Sequence, residues 1–520
     1  MSSYLAPIMH VKVYGSTVFG VDAITITIEV NVYGGLHTHV VGLPDNAVKE
    51  SILRIESALK TNGWQMPRNK VVVNLAPADI RKTGSSFDLP IAIGILAATG
   101  QLRSTAQLSN TMLMGELGLD GNILPIRGAL PITMQARAEG FVQILLPEAN
   151  AGEAGVVKEI SVYGMKHLKE VVSFLNGELA LVPLETDVDA LFLEAHSTAH
   201  DFSEVKGQEN IKRALEIAAA GGHNALLIGP PGAGKTMLAK RLPGILPPMR
   251  LAEALETTRI HSVAGRLNWS KALVTARPFR SPHHSISASA LAGGGSIPQP
   301  GEISLAHNGV LFLDELPEYK RSVLEVMRQP MEERKITVSR ARLSSVFPAS
   351  FMLIASMNPC PCGYFNHPDK ACKCHPTMVQ KYLQKISGPL LDRIDLHVEV
   401  TPVGFSDLQS ERRTESSETV RARVVEARKR QELRFTGHPG IFCNAQMPAS
   451  MLTDACTLPC EARTLLQQAM EKLQLSARAY DRILKVARTI ADLAGREKIE
   501  VEHLAEAIQY RSLDRESWGK

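Results

Sequence analysis

The segment Ala225 to Thr236, ALLIGPPGAGKT, restricts the fold of this chain more than any other stretch. An apolar run leads into Gly229-x-x-x-x-Gly234-Lys235-Thr236, and MLAKRL follows with the pattern of a helix. Strand, glycine-rich loop and helix in that order make a P-loop, so a parallel α/β sheet is expected around it. Gly229, Pro230, Pro231, Gly232, Ala233 and Gly234 form the loop, whose glycines let backbone N–H groups curl around phosphates at a helix N-terminus. Lys235 reaches the β- and γ-phosphates, and Thr236 offers a hydroxyl to Mg2+.

Downstream, Gly309-Val310-Leu311-Phe312-Leu313-Asp314-Glu315 has the form of a buried parallel strand whose C-terminal end meets a ligand. After a P-loop this reads as a Walker B strand: Asp314 holds the hydrated Mg2+, and Glu315 polarises the attacking water. Phe351 to Pro359 (FMLIASMNP) is a further buried strand ending in Asn358, suited to orienting water near the γ-phosphate. Arg393, in GPLLDRID, and Arg478, in SARAYDRIL, each follow or open a helical pattern. Taken alone, each arginine reads as a solvated or paired surface residue.

Around this centre, 520 residues at ~100–200 per domain predict roughly three domains. Residues 1–175 read as an α+β domain. Ile24, Ile26, Ile28, Val30 and Val32 alternate as in a strand with one buried face, and Val48, Ile52, Ile55 and Leu59 recur at helical spacing after Asp45. Asp120-Gly121 marks a hairpin. Residues 176–204 read as an acidic linker, since Glu178, Glu185, Asp187, Asp189, Glu194, Asp201 and Glu204 occur there without one Lys or Arg from Glu178 onward. Alternating helix and strand patterns fill 205–403, and 404–520 is helical. The net charge of +4 neither demands nor forbids a nucleic-acid partner. MSSYLAPIMHVKV lacks a signal-peptide pattern, and the longest apolar run, Leu89 to Ala98, is far short of the ~20 residues of a membrane span. A cytoplasmic protein with no membrane partner is expected.

Four of the seven cysteines fall within residues 360–374. Cys360, Cys362, Cys372 and Cys374 can close a tetrahedral Zn2+ site, although C-x-C is tighter than the usual spacing and His367 and His375 offer substitute ligands. Reduced, packed thiols are the alternative. The helix Thr419 to Phe435 is dense in arginine and could touch DNA, but a solvated or inter-subunit face is the favoured reading.

Together these motifs resemble AAA+ ATPases of the magnesium-chelatase-like ComM/YifB family of bacteria, over nearly the whole chain. The resemblance implies an N-terminal α+β Lon-like (ribosomal S5 domain 2-like) domain, a central P-loop AAA+ parallel sheet and a C-terminal helical lid. It implies that Asn358 is sensor 1, that Arg393 is an arginine finger reaching the ATP of the next subunit, and that Arg478 is sensor 2. A finger acting in trans implies a homo-hexameric ring. Residues 277–304 resemble the helix-2 insert of the chelatase and MCM-helicase clade. Residues 335–347 sit where that clade has its pre-sensor-1 hairpin, placing Lys335, Arg340 and Arg342 toward a channel and its DNA.

A Lon-type domain raises a Ser-Lys peptidase. Ser86 fits the serine motif loosely, but Leu130 stands where the lysine belongs, which disfavours proteolysis. Scaffolding, ring formation or nucleic-acid contact remain as roles for this domain. The activity implied is an ATP- and Mg2+-dependent motor on single-stranded or branched DNA, performing branch migration or unwinding in homologous recombination and natural transformation. The alternative is a chelatase- or chaperone-like remodeller of a protein partner; the resemblance implies that chelatase motors lack the fused first domain and the cysteine cluster.

Overall fold

The computed structural model describes residues 10–194, 200–267, 272–295, 297–339, 344–365, 367, 370–402, 415–438 and 440–511. They form a mixed α/β chain of two compact units, Met1–Glu194 with Leu251–Thr275, and Ala195–Arg250 with Ala276–Lys520.

The first unit is built on a seven-stranded sheet in the order Thr38–Val41, Lys70–Ala76, Asp22–Tyr33, His10–Phe19, Thr111–Leu113, Gln143–Pro147, Ser161–Met165. The alternating segment is the strand Asp22–Tyr33, with Ile26, Ile28, Val30 and Val32 buried and Ile24 half-buried. Asp45 caps the helix Asn46–Thr61 by accepting the Val48 N–H at 2.9 Å. The apolar run becomes the helix Asp88–Ala98, buried at every residue, so its length serves the core rather than a bilayer. Among the described residues, no helix is long and apolar enough to cross a membrane.

One grouping departs from the expected boundaries. The helix Leu251–Val263, assigned by sequence to the ATPase core, belongs to the first unit. Ala254 and Ile260 are fully buried, and Arg259 bonds the Val21 carbonyl at 3.2 Å and the Asp22 carboxylate. The segment read as an acidic linker carries backbone hydrogen bonds to the first unit: Leu184 N–H bonds Val162 O at 2.8 Å, and Thr186 N–H bonds Gly155 O at 3.1 Å. Its later residue Phe202 enters the second unit's core.

The second unit has a five-stranded parallel sheet in the order Phe279–Arg280, Val310–Leu313, Met352–Met357, Ala225–Ile228, Leu396–Glu399. In its own chain order this is second, third, fourth, first, fifth. Purely parallel strands bury both faces, and all four residues of Val310–Leu313 and of Ala225–Ile228 are buried accordingly. The C-terminal helices Ser417–Arg434, Ala449–Ala455, Cys460–Leu473, Ala477–Leu493 and Val501–Gln509 share one apolar core with this sheet. Their polar hub is buried Asp492, which accepts from Arg434 (2.5 and 2.8 Å) and from Asn444 Nδ2 (2.8 Å).

Candidate active site

The C-terminal ends of the first, third and fourth strands meet at one place. Gly229 ends the strand Ala225–Ile228, and a Cβ there would lie 2.3 Å from the Val400 carbonyl, so only glycine fits. Gly232 and Gly234 take φ of +79° and +82°, which lets the loop reverse into the helix Lys235–Arg241. Lys235 is buried, and its ammonium donates to Gly229 O (2.7 Å), Pro230 O (2.9 Å) and Asn358 Oδ1 (3.2 Å). Burial pulls its pKa below the usual lysine value, and Asp314 and Glu315 oppose that shift.

Asp314 follows the strand Val310–Leu313 and accepts from three donors: Thr236 Oγ1 at 2.7 Å, Ser356 Oγ, and the Glu315 N–H at 3.1 Å. A threonine hydroxyl and a carboxylate in contact are a hard oxygen pair of the kind Mg2+ takes. Glu315 has φ of +53°, an uncommon conformation for a residue with a Cβ. Its Oε2 lies 3.5 Å from His284 Nδ1. Tyr319 anchors that segment by donating to Pro282 O at 2.6 Å, and burial together with Asp314 and Glu315 raises its pKa well above the usual phenol value. Glu315 and Asn358 also line a cleft of about 480 Å3 with Glu318, Lys381, Tyr382 and Lys385.

The structure thus brings together Lys235, Thr236, Asp314, Glu315 and Asn358. Arg393 is held elsewhere: it is buried, its Nη2 pairs with Glu332 at 2.6 Å, and its Nη1 donates to Pro389 O at 2.5 Å. Arg478 is exposed in the first turn of the helix Ala477–Leu493. One turn on, Arg482 bonds Asp395 Oδ1 at 2.7 Å, joining that helix to the strand Leu396–Glu399.

Sequence reasoning missed His284, Ser356, Gln208 and Arg482. Gln208 has φ of +63° and its amide donates to Ala233 O (3.2 Å) and Thr401 O (2.9 Å), bracing the P-loop. Gly207 and Gln208 are both left-handed just before the helix Glu209–Gly221, and for a glutamine residue type alone gives no signal of that.

The hairpin Lys335–Ser339 with Ser344–Pro348 is antiparallel, with Ile336 and Val338 inward and Lys335 exposed at its base. Arg340 and Arg342 lie outside the described residues, as does the expected boundary at 403/404. In the insert, Gly293–Gly294 pairs with Gln299–Pro300. The arginine-rich helix is an internal brace: Arg423 pairs with Glu216 (2.5 Å) and Glu415 (2.7 Å), Arg434 with Asp492, and Arg428 with Ala219 O (3.0 Å). In the cysteine cluster, Cys360 Sγ lies 3.3 Å from Cys362 Sγ and 3.7 Å from Cys372 Sγ. In the first unit, Leu130 is fully buried and its N–H donates to Glu153 at 2.8 Å.

A P-loop after the first strand, an Asp-Glu after the third and a sensor asparagine after the fourth, on this strand order, define an AAA+-type P-loop ATPase. Family models described as magnesium chelatase, subunit ChlI, as subunit ChlI of Mg-chelatase, and as magnesium chelatase, subunit ChlI C-terminal match residues 201–408, 28–150 and 414–511. The protein YifB of Salmonella typhimurium is 44% identical over 513 residues, covering 97% of each chain. Competence protein ComM of Haemophilus influenzae is 44% identical over 512 residues, again 97% of each. Lon protease 2 of Bacillus subtilis is 30% identical over 161 residues, 28% of this chain and 27% of its own. The chain belongs to the magnesium-chelatase-like ComM/YifB family.

Proposed function

We propose that this protein is a ring-forming, Mg2+-dependent ATPase that moves on single-stranded or branched DNA in the cytoplasm, driving branch migration or strand separation during recombination of incoming DNA. The observation that carries the ATPase reading is a pair of contacts at the ends of adjacent parallel strands: Lys235 donates to Asn358, and Thr236 and Ser356 both donate to Asp314.

Bound ATP and Mg2+ supply the phosphoanhydride and the charge that screens it. Lys235 exchanges its Gly229 and Pro230 carbonyl partners for phosphate oxygens, a strong charge-assisted contact in a buried site. Thr236 and Asp314 would hold the metal, with Ser356 orienting the carboxylate. Glu315 takes the proton of the attacking water, and Asn358 orients that water once it has released Lys235. His284 sets whether Glu315 faces the reaction, since the two are in contact range. In a hexamer, Arg393 leaves Glu332 for the neighbouring subunit's nucleotide and Arg478 reports on its own; loss of γ-phosphate contacts then shifts the helices that carry them.

The DNA reading is supported by the basic hairpin, in which Lys335, Arg340 and Arg342 are the proposed contacts, and by a relative named a competence protein. The first unit takes the Lon-like role of a ring scaffold; a buried leucine at position 130 leaves no base for a Ser86 peptidase. Because a chelatase-described family model covers 28–150, the first unit does not by itself separate a DNA motor from a protein remodeller. DNA dependence of hydrolysis separates them. Single-stranded and branched DNA at low salt are expected to bind and to stimulate ATPase turnover. Turnover indifferent to DNA, with no binding, overturns the DNA reading and favours the remodeller.

A further inference from the structure

We propose that Cys360, Cys362, Cys372 and Cys374 hold one tetrahedral Zn2+, and that this metal stiffens a loop buttressing the P-loop and the sensor asparagine.

The sulfur geometry fits. The Sγ–Sγ distances are 3.3 Å for Cys360–Cys362, 3.7 Å for Cys360–Cys372 and 3.6 Å for Cys362–Cys372, and all four sulfurs lie within 4.8 Å of one another. With Zn–S bonds of ~2.3 Å, a regular tetrahedron has sulfur–sulfur edges of about 3.8 Å. A disulfide requires about 2.05 Å, so the four are neighbours around a point rather than bonded pairs. The Cys374 N–H also points at Cys372 Sγ from 3.4 Å. His375 Nδ1 accepts the Thr377 N–H that caps its helix, and His367 Nδ1 accepts the Lys370 N–H. Among the described residues, the group of ligand atoms lying within 4.8 Å of one another is the four cysteine sulfurs and includes neither histidine, so the ligand set is the four cysteines.

Packed thiols explain the arrangement less well. Cys443 and Cys456 are buried singly in the second unit, as small apolar side chains are, whereas Cys362, Cys372 and Cys374 are all half-exposed. Among the described residues between Met357 and Pro376 there is no helix or strand to hold such half-exposed sulfurs together. Closing four ligands on one metal supplies that order, with the thiol protons passing to solvent.

The position gives the site its consequence. Asn358, Pro359 and Cys360 are consecutive, so the first ligand adjoins the sensor. Gly363, at φ of +82°, packs on the P-loop: a Cβ there would lie 2.5 Å from Pro231 Cδ. Pro361 lines the same cleft as Glu315 and Asn358. A loop pinned by the metal thus holds Pro231 from outside and Asn358 from behind.

The test uses the full chain purified under reducing conditions without chelator. Plasma mass spectrometry is expected to find about one zinc per chain, and a Cys362→Ser/Cys372→Ser variant to lose it. Stripping zinc with a thiol-reactive mercurial and then reducing the protein is expected to weaken binding of a fluorescent ATP analogue several-fold, with far-UV circular dichroism preserved and zinc re-addition restoring it. Gly363→Ala is expected to keep its zinc yet lose affinity for the same analogue to a similar degree. Folded protein with far less than stoichiometric zinc, or with iron in its place, overturns the site. Stoichiometric zinc with nucleotide affinity unchanged both on stripping and in Gly363→Ala overturns the buttress. Should the cysteine variant fail to fold, wild-type zinc content and Gly363→Ala still decide. Zinc content is read without nucleotide, so failure here is distinct from failure of the ATPase reading.

Discussion

The helix that carries Arg478 is tied to the sheet through one buried carboxylate, and Arg482→Met tests that tie. Asp395 is 1% exposed; its Oδ1 accepts from Arg482 at 2.7 Å, and its Oδ2 accepts the Asn224 N–H at 2.9 Å and lies 3.7 Å from His223. Burial raises the Asp395 pKa, but Arg482, His223 and the Asn224 N–H outweigh it and hold the carboxyl well below its ordinary range. At a charge separation of ~4 Å and an effective dielectric of about 20, the pair attracts by roughly 4 kcal/mol. The Asn224 N–H survives the substitution, so a loss of about 3 kcal/mol is expected, at the low end for a broken buried pair. Urea unfolding followed by far-UV circular dichroism measures it, and hydrogen exchange across Ala477–Leu493 locates it. Because the folded pKa is depressed, the stabilisation is fully present above the unfolded value of ~3.9 and is lost as pH falls toward the folded one. The difference between wild type and variant is therefore full at neutral pH and shrinks on acidification, as the unpaired Asp395 protonates early. A loss under about 1 kcal/mol at neutral pH, or a difference that does not narrow in acid, refutes this reasoning.

Glu315→Gln is expected to bind ATP while turnover falls on the order of a hundredfold or more, measured by phosphate release; near-normal hydrolysis removes Glu315 from its role. His284→Ala frees the Glu315 carboxylate and is expected to raise basal turnover a few-fold while shrinking stimulation by DNA; an unchanged basal rate counts against a positioning role. Lys335→Ala is expected to weaken DNA binding evenly across sequences and to reduce the slope of log affinity against log salt by about 1, measured by fluorescence anisotropy. An unchanged slope places Lys335 off the DNA.

The elements that local pattern dictates were legible in the sequence. Alternation alone placed Ile26, Ile28, Val30 and Val32 on one buried face, and the P-loop and the Asp314-Glu315 pair followed from residue type and order. What escaped depends on register between distant segments. Ser356 reads as one more residue of an apolar strand until the pairing of Leu313 with Ala355 puts the next pair, Asp314 and Ser356, side by side. His284 reaches Glu315 only because the strand Phe279–Arg280 lies beside Val310–Leu313. Charge counting saw an acidic run in 176–204, but backbone hydrogen bonds to Val162 and Gly155 tether it, and those leave no compositional trace. The arginine-rich helix shows the same limit, since partners such as Glu216 and Asp492 come from far along the chain.

The central claim is that ATP hydrolysis at Lys235 and Glu315 drives movement on DNA. Strand displacement from a labelled branched DNA junction, with ATP and Mg2+ at low salt, tests it most directly. Wild type is expected to separate or migrate the strands and Lys235→Ala to leave them intact, although both chains fold. Junctions untouched by wild type while it hydrolyses ATP, or moved equally well by Lys235→Ala, would contradict the claim.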